Sequence, residues 1–452
     1  MKHPMTRFVI LLFVAMLTLG PRLAAQDSSQ AAPPAGLKST DPKERAKAAR
    51  DLARHGTPSD VPALAALIND PEADVRRAVV ETLGAIHAAE SLDPLITATH
   101  DADLKIRNAA IENLVNYYAG KSEEGGFIGL WKNTYSKAKG HFTQDDLKID
   151  PGIQVEPKVI AALVAALNNA DAIEPSRRAA RGLGVLLAHD AVPDLVKGAH
   201  SLDDERALEC LNSLLKIKDI STGPQLVDLL DSPVEEVKLQ AAVTVGLLKV
   251  QEAVPKLQTL YENGANKPIQ EKSLQGLAYI GSPVSVPIFT KALWSNDKSI
   301  RAIAAEGLGR AGDVQAMGDL QKAVNGEKSS EPRLAMMFAI TALGGMTYLS
   351  DLVTGLGAAF RGDVVRSYLI ELSRKREVLV RLYPFMSHRD ADVRRQLCTV
   401  LMYSGDASSI EPLERLSQDS KGEVASEALR ALRVVRMRAV ATPAPPASPS
   451  AN

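Results

Sequence analysis

Asp70-Pro71-Glu72-Ala73-Asp74-Val75-Arg76-Arg77-Ala78-Val79-Val80-Glu81-Thr82-Leu83-Gly84-Ala85-Ile86 reads as one amphipathic helix with its start signal attached. An aspartate such as Asp70 can accept the free N–H groups of a helix start, and Pro71 suits the first turn, where no donor is missed. Val75, Ala78, Val79, Thr82, Leu83 and Ile86 recur at helical spacing and leave Arg77 and Glu81 on the other face. The pattern then returns. With Leu83 as marker, its equivalents fall at Leu52, Leu114, Leu183, Leu214, Val245, Leu277, Leu308, Leu343, Leu372, Leu401 and Leu432. The intervals are 31, 31, 69, 31, 31, 32, 31, 35, 29, 29 and 31 residues. A fixed period predicts an all-α solenoid of about 12 stacked helical hairpins, each hiding its apolar face only against its neighbours.

Each hairpin reads as a first helix opened by proline (Pro62, Pro94, Pro193, Pro224, Pro255, Pro287 and Pro412), followed by the marker helix. Ser232-Pro233-Val234-Glu235 has the spacing of a capping box. Asp74-Val75-Arg76-Arg77-Ala78 with Leu83-Gly84, echoed by Ile106-Arg107, Val237-Lys238 and Ile300-Arg301, resembles HEAT repeats. The type is the short HEAT-like repeat first named from phycobilisome lyases, since typical HEAT units run to ~40–47 residues. The resemblance spans residues ~40–438 and implies an α-solenoid used for protein recognition. It does not imply lyase chemistry.

The basic and acidic residues balance, 53 against 54, which argues against a dedicated nucleic-acid binder. Cys210 and Cys398 fall on the core side of marker helices six repeats apart. At ~10 Å per helix layer they cannot bridge each other and read as buried small hydrophobes. Lys2 and Arg7, the apolar run Phe8 to Leu19, and Ala24-Ala25 read as an export signal over residues 1–25, placing the protein in the periplasm or outside the cell. Residues 26–40 read as a disordered linker, 41–440 as the solenoid, and the Pro/Ala-rich stretch 441–452 as an extended tail.

Columns across the repeats carry the functional expectations. Seven before the marker, Arg45, Arg76, Arg107, Lys238, Arg301 and Arg394 form a broken basic ladder, read as stacking partners for acidic neighbours or as an anion track. The columns six and two before the marker share one face. They are polar near the ends of the array and apolar between, which suggests a partner groove including Leu208, Leu239, Val243, Met337 and Ile370. Tight curvature hiding these residues is the alternative.

The 69-residue interval contains an insertion, roughly residues 119–156. Tyr117 to Phe142 holds six of the chain's 19 aromatic residues, among them Phe127, Trp131 and Tyr135. These three join the partner-binding candidates, with plugging of the gap between repeats as the other reading. Among the histidines outside the signal there is no HExxH and no His-Glu dipeptide, and the chain has no CxxC, phosphate loop or nucleophile elbow. No catalytic, cofactor or metal residues are therefore assigned. The expected function is an exported, non-enzymatic protein-binding scaffold. The alternatives are an auxiliary or lyase-like enzyme subunit acting on a bound chromophore or protein, and a structural part of an envelope complex.

Overall fold

The structure is a computed structural model describing residues 35–119, 148–149, 153–169, 171–358 and 362–441. The export signal, most of the linker, the tail, and Phe127, Trp131, Tyr135 and His141 lie outside the described residues. Every repeat contributes a second helix, numbered α1 to α12: Pro42–His55, Ala73–Ile86, Leu104–Ala119, Ile173–Val185, Asp204–Ile217, Glu235–Leu247, Lys267–Ile280, Lys298–Ala311, Ser330–Ala342, Gly362–Leu372, Ala391–Ser404 and Gly422–Ala441. Shorter first helices such as Val192–Ala199, Val254–Asn263 and Val286–Ala292 join them. Each second helix packs on the next, α3 meeting α4 across the insertion. The fold is an all-α solenoid.

Close packing follows from small residues where helices cross. A Cβ on Gly246 of α6 would stand 2.7 Å from Gly276 Cα of α7, and one on Gly309 of α8 would stand 2.7 Å from Ala339 Cα of α9. Polar side chains one before the marker stitch the same seams. Thr82, Asn113 and Ser213 donate to the carbonyls of Ala49, Val80 and Ala180 at 2.8, 3.0 and 2.8 Å. These bonds satisfy groups that would be costly to bury alone.

Four of the six ladder residues tie neighbouring repeats together. Arg45–Asp70, Arg76–Asp101, Arg301–Glu327 and Arg394–Asp419 pair at 2.7, 2.6, 2.7 and 2.7 Å, each across 25 or 26 residues. The same arginines donate to carbonyls of their own preceding loop, as Arg45 does to Ser39 at 2.9 Å. Each carboxylate also accepts a backbone N–H at the start of the next helix, Asp70 from Glu72 and Asp419 from Lys421. Bidentate, mostly buried pairs of this kind fix the register of neighbouring hairpins.

Four details differ from expectation. First, Leu37 is buried within a 3₁₀ turn, Ala35–Lys38, so the packed structure begins inside the stretch read as linker. Second, Pro224 lies inside a long 3₁₀ segment, Ile220–Asp231, and does not open an α-helix. Third, Val234, not Ser232, is the N-cap of α6, and the Ser232 hydroxyl accepts from the Val234 N–H at 3.2 Å. Fourth, two markers shift by three residues. Gly345 N–H closes α9 on the Ile340 carbonyl (2.8 Å), as Val250 closes α6 on Val245 (3.0 Å). Ser373 N–H closes α10 on the Leu369 carbonyl at 2.9 Å. Ile340 and Leu369 are thus the true markers, and the intervals of 35, 29 and 29 become 32, 29 and 32. Leu343 follows the helix end and is only half-buried, whereas Ile340 is 1% exposed.

Candidate functional site

Second helices α5 to α10 curve around a cavity of about 240 Å³ on the inner face. The curvature is tight enough for repeats two apart to touch. Arg310 at the end of α8 bonds Glu371 of α10 (3.0 and 3.1 Å), reaching past α9, and also bonds Glu306 one turn back (2.8 Å). Tyr368 of α10 donates its hydroxyl to Glu306. The Arg310 guanidinium lies over the rings of Tyr279 (4.9 Å) and Phe338 (5.2 Å), and Phe338 stacks on Tyr368 at 4.5 Å. The Arg310 side chain is 8% exposed. Burial works against its charge, but Glu371 and Glu306 outweigh that and hold it protonated. Burial likewise favours the neutral form of Glu371, and Arg310 overrides it, so the carboxyl sits below its usual range. Burial pushes the Tyr279 hydroxyl up to about 12.

The rest of the wall is cationic. Lys148, Lys216, Lys218, Lys249 and Arg374 line the same cavity. Among the described residues this makes six basic groups, with Arg310, against two carboxylates. Burial first, and then the neighbouring Lys148 and Arg374, bring Lys218 down to about 8. Lys249 is lowered by burial and by Arg310 and Arg374, and its ammonium donates to the Tyr279 carbonyl. Both lysines keep contact with the water in the cavity.

Their backbone is unusual. Four residues after the marker several second helices end in the left-handed region, at His87, Leu187, Lys218, Lys249, Gly281, Gly312 and Gly344. Glycine takes this conformation without a Cβ clash, and three repeats use it. At Lys218 (φ 59°) and Lys249 (φ 61°) a long, charged side chain stands there instead.

The insertion reaches this face too. Ile149 is 4% exposed and its N–H bonds the Val185 carbonyl at the end of α4 (3.0 Å). Lys148 lies over the Tyr403 ring of α11 at 4.7 Å. At the insertion's edges, Glu156 N–H donates to the Tyr118 hydroxyl at 3.1 Å, and Tyr117 meets Tyr118 edge-on.

The apolar groove residues are placed unequally. Leu208 and Leu239 are half-buried. Val243, Met337 and Ile370 are 1%, 7% and 6% exposed, so the expectation of open groove positions is corrected for these three. Register is the reason for two of them: with Ile340 and Leu369 as markers, Met337 falls three before the marker, in the core column, and Ile370 falls one after it, while Val243 keeps its column and is buried there. The polar ends of this face are tied across repeats, Arg178 to Glu112 and Arg181 to Glu209. Sequence reading missed the cationic residues. The usable signal was lysine at 218 and 249 in a column where other repeats carry glycine.

The family of HEAT repeats matches residues 35–115 and 223–309. The phycocyanobilin lyase subunit alpha of Nostoc sp. (strain PCC 7120) is 30% identical over 180 residues, which is 36% of this chain. The chain spans 65% of the length of that relative. Among solved structures, an engineered protein is 19% identical with a TM-score of 0.39, covering 88% of this chain and 97% of its own. The complex of CpcE and CpcF of phycocyanin lyase from Nostoc sp. PCC7120 is 20% identical with a TM-score of 0.34, over 62% of this chain and 94% of its own. HEAT repeats are thus matched over residues 35–115 and 223–309 of this chain, and its similarity is to a short-repeat protein of the phycobilisome lyase type.

Proposed function

We propose that this protein is an exported, non-enzymatic scaffold that binds a protein partner through the inner face of its solenoid together with the aromatic insertion. One observation carries the reading: Lys148 and Ile149, at the described end of the insertion, sit on the same inner surface as the second helices. Lys148 thus adds a residue of the insertion to the inner face, the kind of surface solenoids use for recognition. The two thiols support a non-catalytic role, since burial pushes Cys210 and Cys398 up to about 12 and keeps them from acting as nucleophiles. Export rests on the sequence of residues 1–25.

The test is photo-crosslinking in native cells from Leu239, from Trp131, and from Glu262 on an outer helix. One and the same partner captured from Leu239 and Trp131, but not from Glu262, is the expected result. Different partners from the two inner positions, or equal capture from Glu262, would overturn it. The similarity to the lyase subunit favours a second reading, an auxiliary subunit acting on a bound chromophore or protein. A coloured ligand retained through purification would select it.

A further inference from the structure

We propose that the inner-face cavity is a binding site for a small multivalent oxyanion, a compact di- or tricarboxylate or a phosphate ester, held by Lys218, Lys249 and Arg374. This goes beyond the scaffold reading and does not depend on which protein partner docks.

Three independent features point the same way. The first is charge. Lys218, Lys249, Arg374 and Arg310 bring four cationic side chains to the cavity against two carboxylates. Both carboxylates there are bonded to Arg310, and Glu371 also acts on Lys218 and Lys249 from the same wall, so the cations remain in excess.

The second is backbone. Left-handed residues other than glycine carry strain, and such strain concentrates where a side chain is needed in place. Of the four non-glycine residues in that conformation, His87 and Leu187 lie away from the cavity, and the two lysines, in successive repeats, both line it. Gly281, Gly312 and Gly344 show that the solenoid does not need a side chain at this step.

The third is the cost of holding charge. Lys218, brought down to about 8, and Lys249, also lowered, lose charge more easily than free lysines, first through burial and then through Arg374, a cation that acts on both. An anion between them reverses that penalty. The volume, about 240 Å³, suits a compact ligand, and Tyr279 and Tyr368 offer ring edges beside it.

The test is titration calorimetry of the full chain with citrate and with inorganic pyrophosphate at low salt and pH 7. One site per chain is expected for at least one probe, and which of the two binds separates carboxylate from phosphate chemistry. The double variant Lys218→Gly/Lys249→Gly should bind at least about tenfold more weakly, with a melting temperature unchanged or raised, because it relieves the left-handed strain. A purely structural role for the lysines predicts the opposite in melting temperature. Arg374→Met, in an exposed position, gives the same affinity loss without touching those turns. Citrate is fully ionised above pH 7, so its affinity should fall from pH 7 to 9.5 as Lys218 loses its proton. Absence of binding by both probes up to about 1 mM, or unchanged affinity in the variants, would overturn the proposal.

Discussion

The same repeat builds two kinds of cationic surface. Along the loops, Arg45, Arg76, Arg301 and Arg394 each meet a carboxylate of the next repeat at 2.6–2.7 Å. On the inner face, Lys218, Lys249 and Arg374 face a cavity whose two carboxylates already serve Arg310. Spacing explains the difference. A loop arginine reaches the next loop in a fixed geometry, so evolution of one hairpin supplies both members of the pair. Inner-face residues meet groups one and two repeats away, and their balance depends on curvature. The paired set serves stacking, and the unbalanced set is left for something else.

Perturbing each set separates them. The largest effect belongs to Arg310→Met, which strands Glu306 and Glu371 in a half-buried site; urea unfolding should show a loss of about 3 kcal/mol. Ladder rungs come next. Arg394→Met should cost about 2 kcal/mol in the same assay.

It should also change the acid limb. Asp419 is held below the usual carboxylate range by Arg394 and by the Lys421 N–H, and Asp203 by Arg177. The unfolded chain therefore takes up protons first as pH falls. The stability these groups give is present above pH 4 and is lost as pH drops through their folded values. Urea midpoints followed from pH 6 to 3 should fall less steeply in Arg394→Met than in the parent.

A smaller effect is expected at the left-handed step. Gly312 has open space around its Cα, so Gly312→Lys isolates backbone strain and should cost about 1 kcal/mol by thermal unfolding. The smallest concerns Lys218. Its folded value, about 8, lies below that of a free lysine, so its charged form burdens the native state below pH 8 and the burden fades as pH rises towards 10. Any stability advantage of Lys218→Gly over the parent should therefore shrink between pH 7 and 10.

Much of this was legible in the sequence, because the evidence is local and repeated. The marker residues, the small residues at crossings and the ladder arginines each recur within one hairpin, and ten of the twelve markers and four of the six ladder positions find the packing their period implied. Two markers were misplaced at Leu343 and Leu372 because leucine was a stronger visual signal than the helix end, which falls on Ile340 and Leu369. That slip also put Met337 and Ile370 in the wrong column, whereas Val243, correctly placed and yet buried, shows the limit of column reading. A column says which residues share a face, but only the winding angle says whether that face is open. The cavity was invisible for the same reason, being assembled from five second helices and one residue of the insertion.

The central claim is that the second helices wind tightly enough for α8 to meet α10 and enclose the cationic face. A double-mutant cycle between Arg310→Met and Glu371→Gln measures that contact directly. A coupling of about 2 kcal/mol between residues 61 positions apart is the predicted result. Strict additivity would mean that repeats two apart do not touch, and the enclosed cavity would not exist.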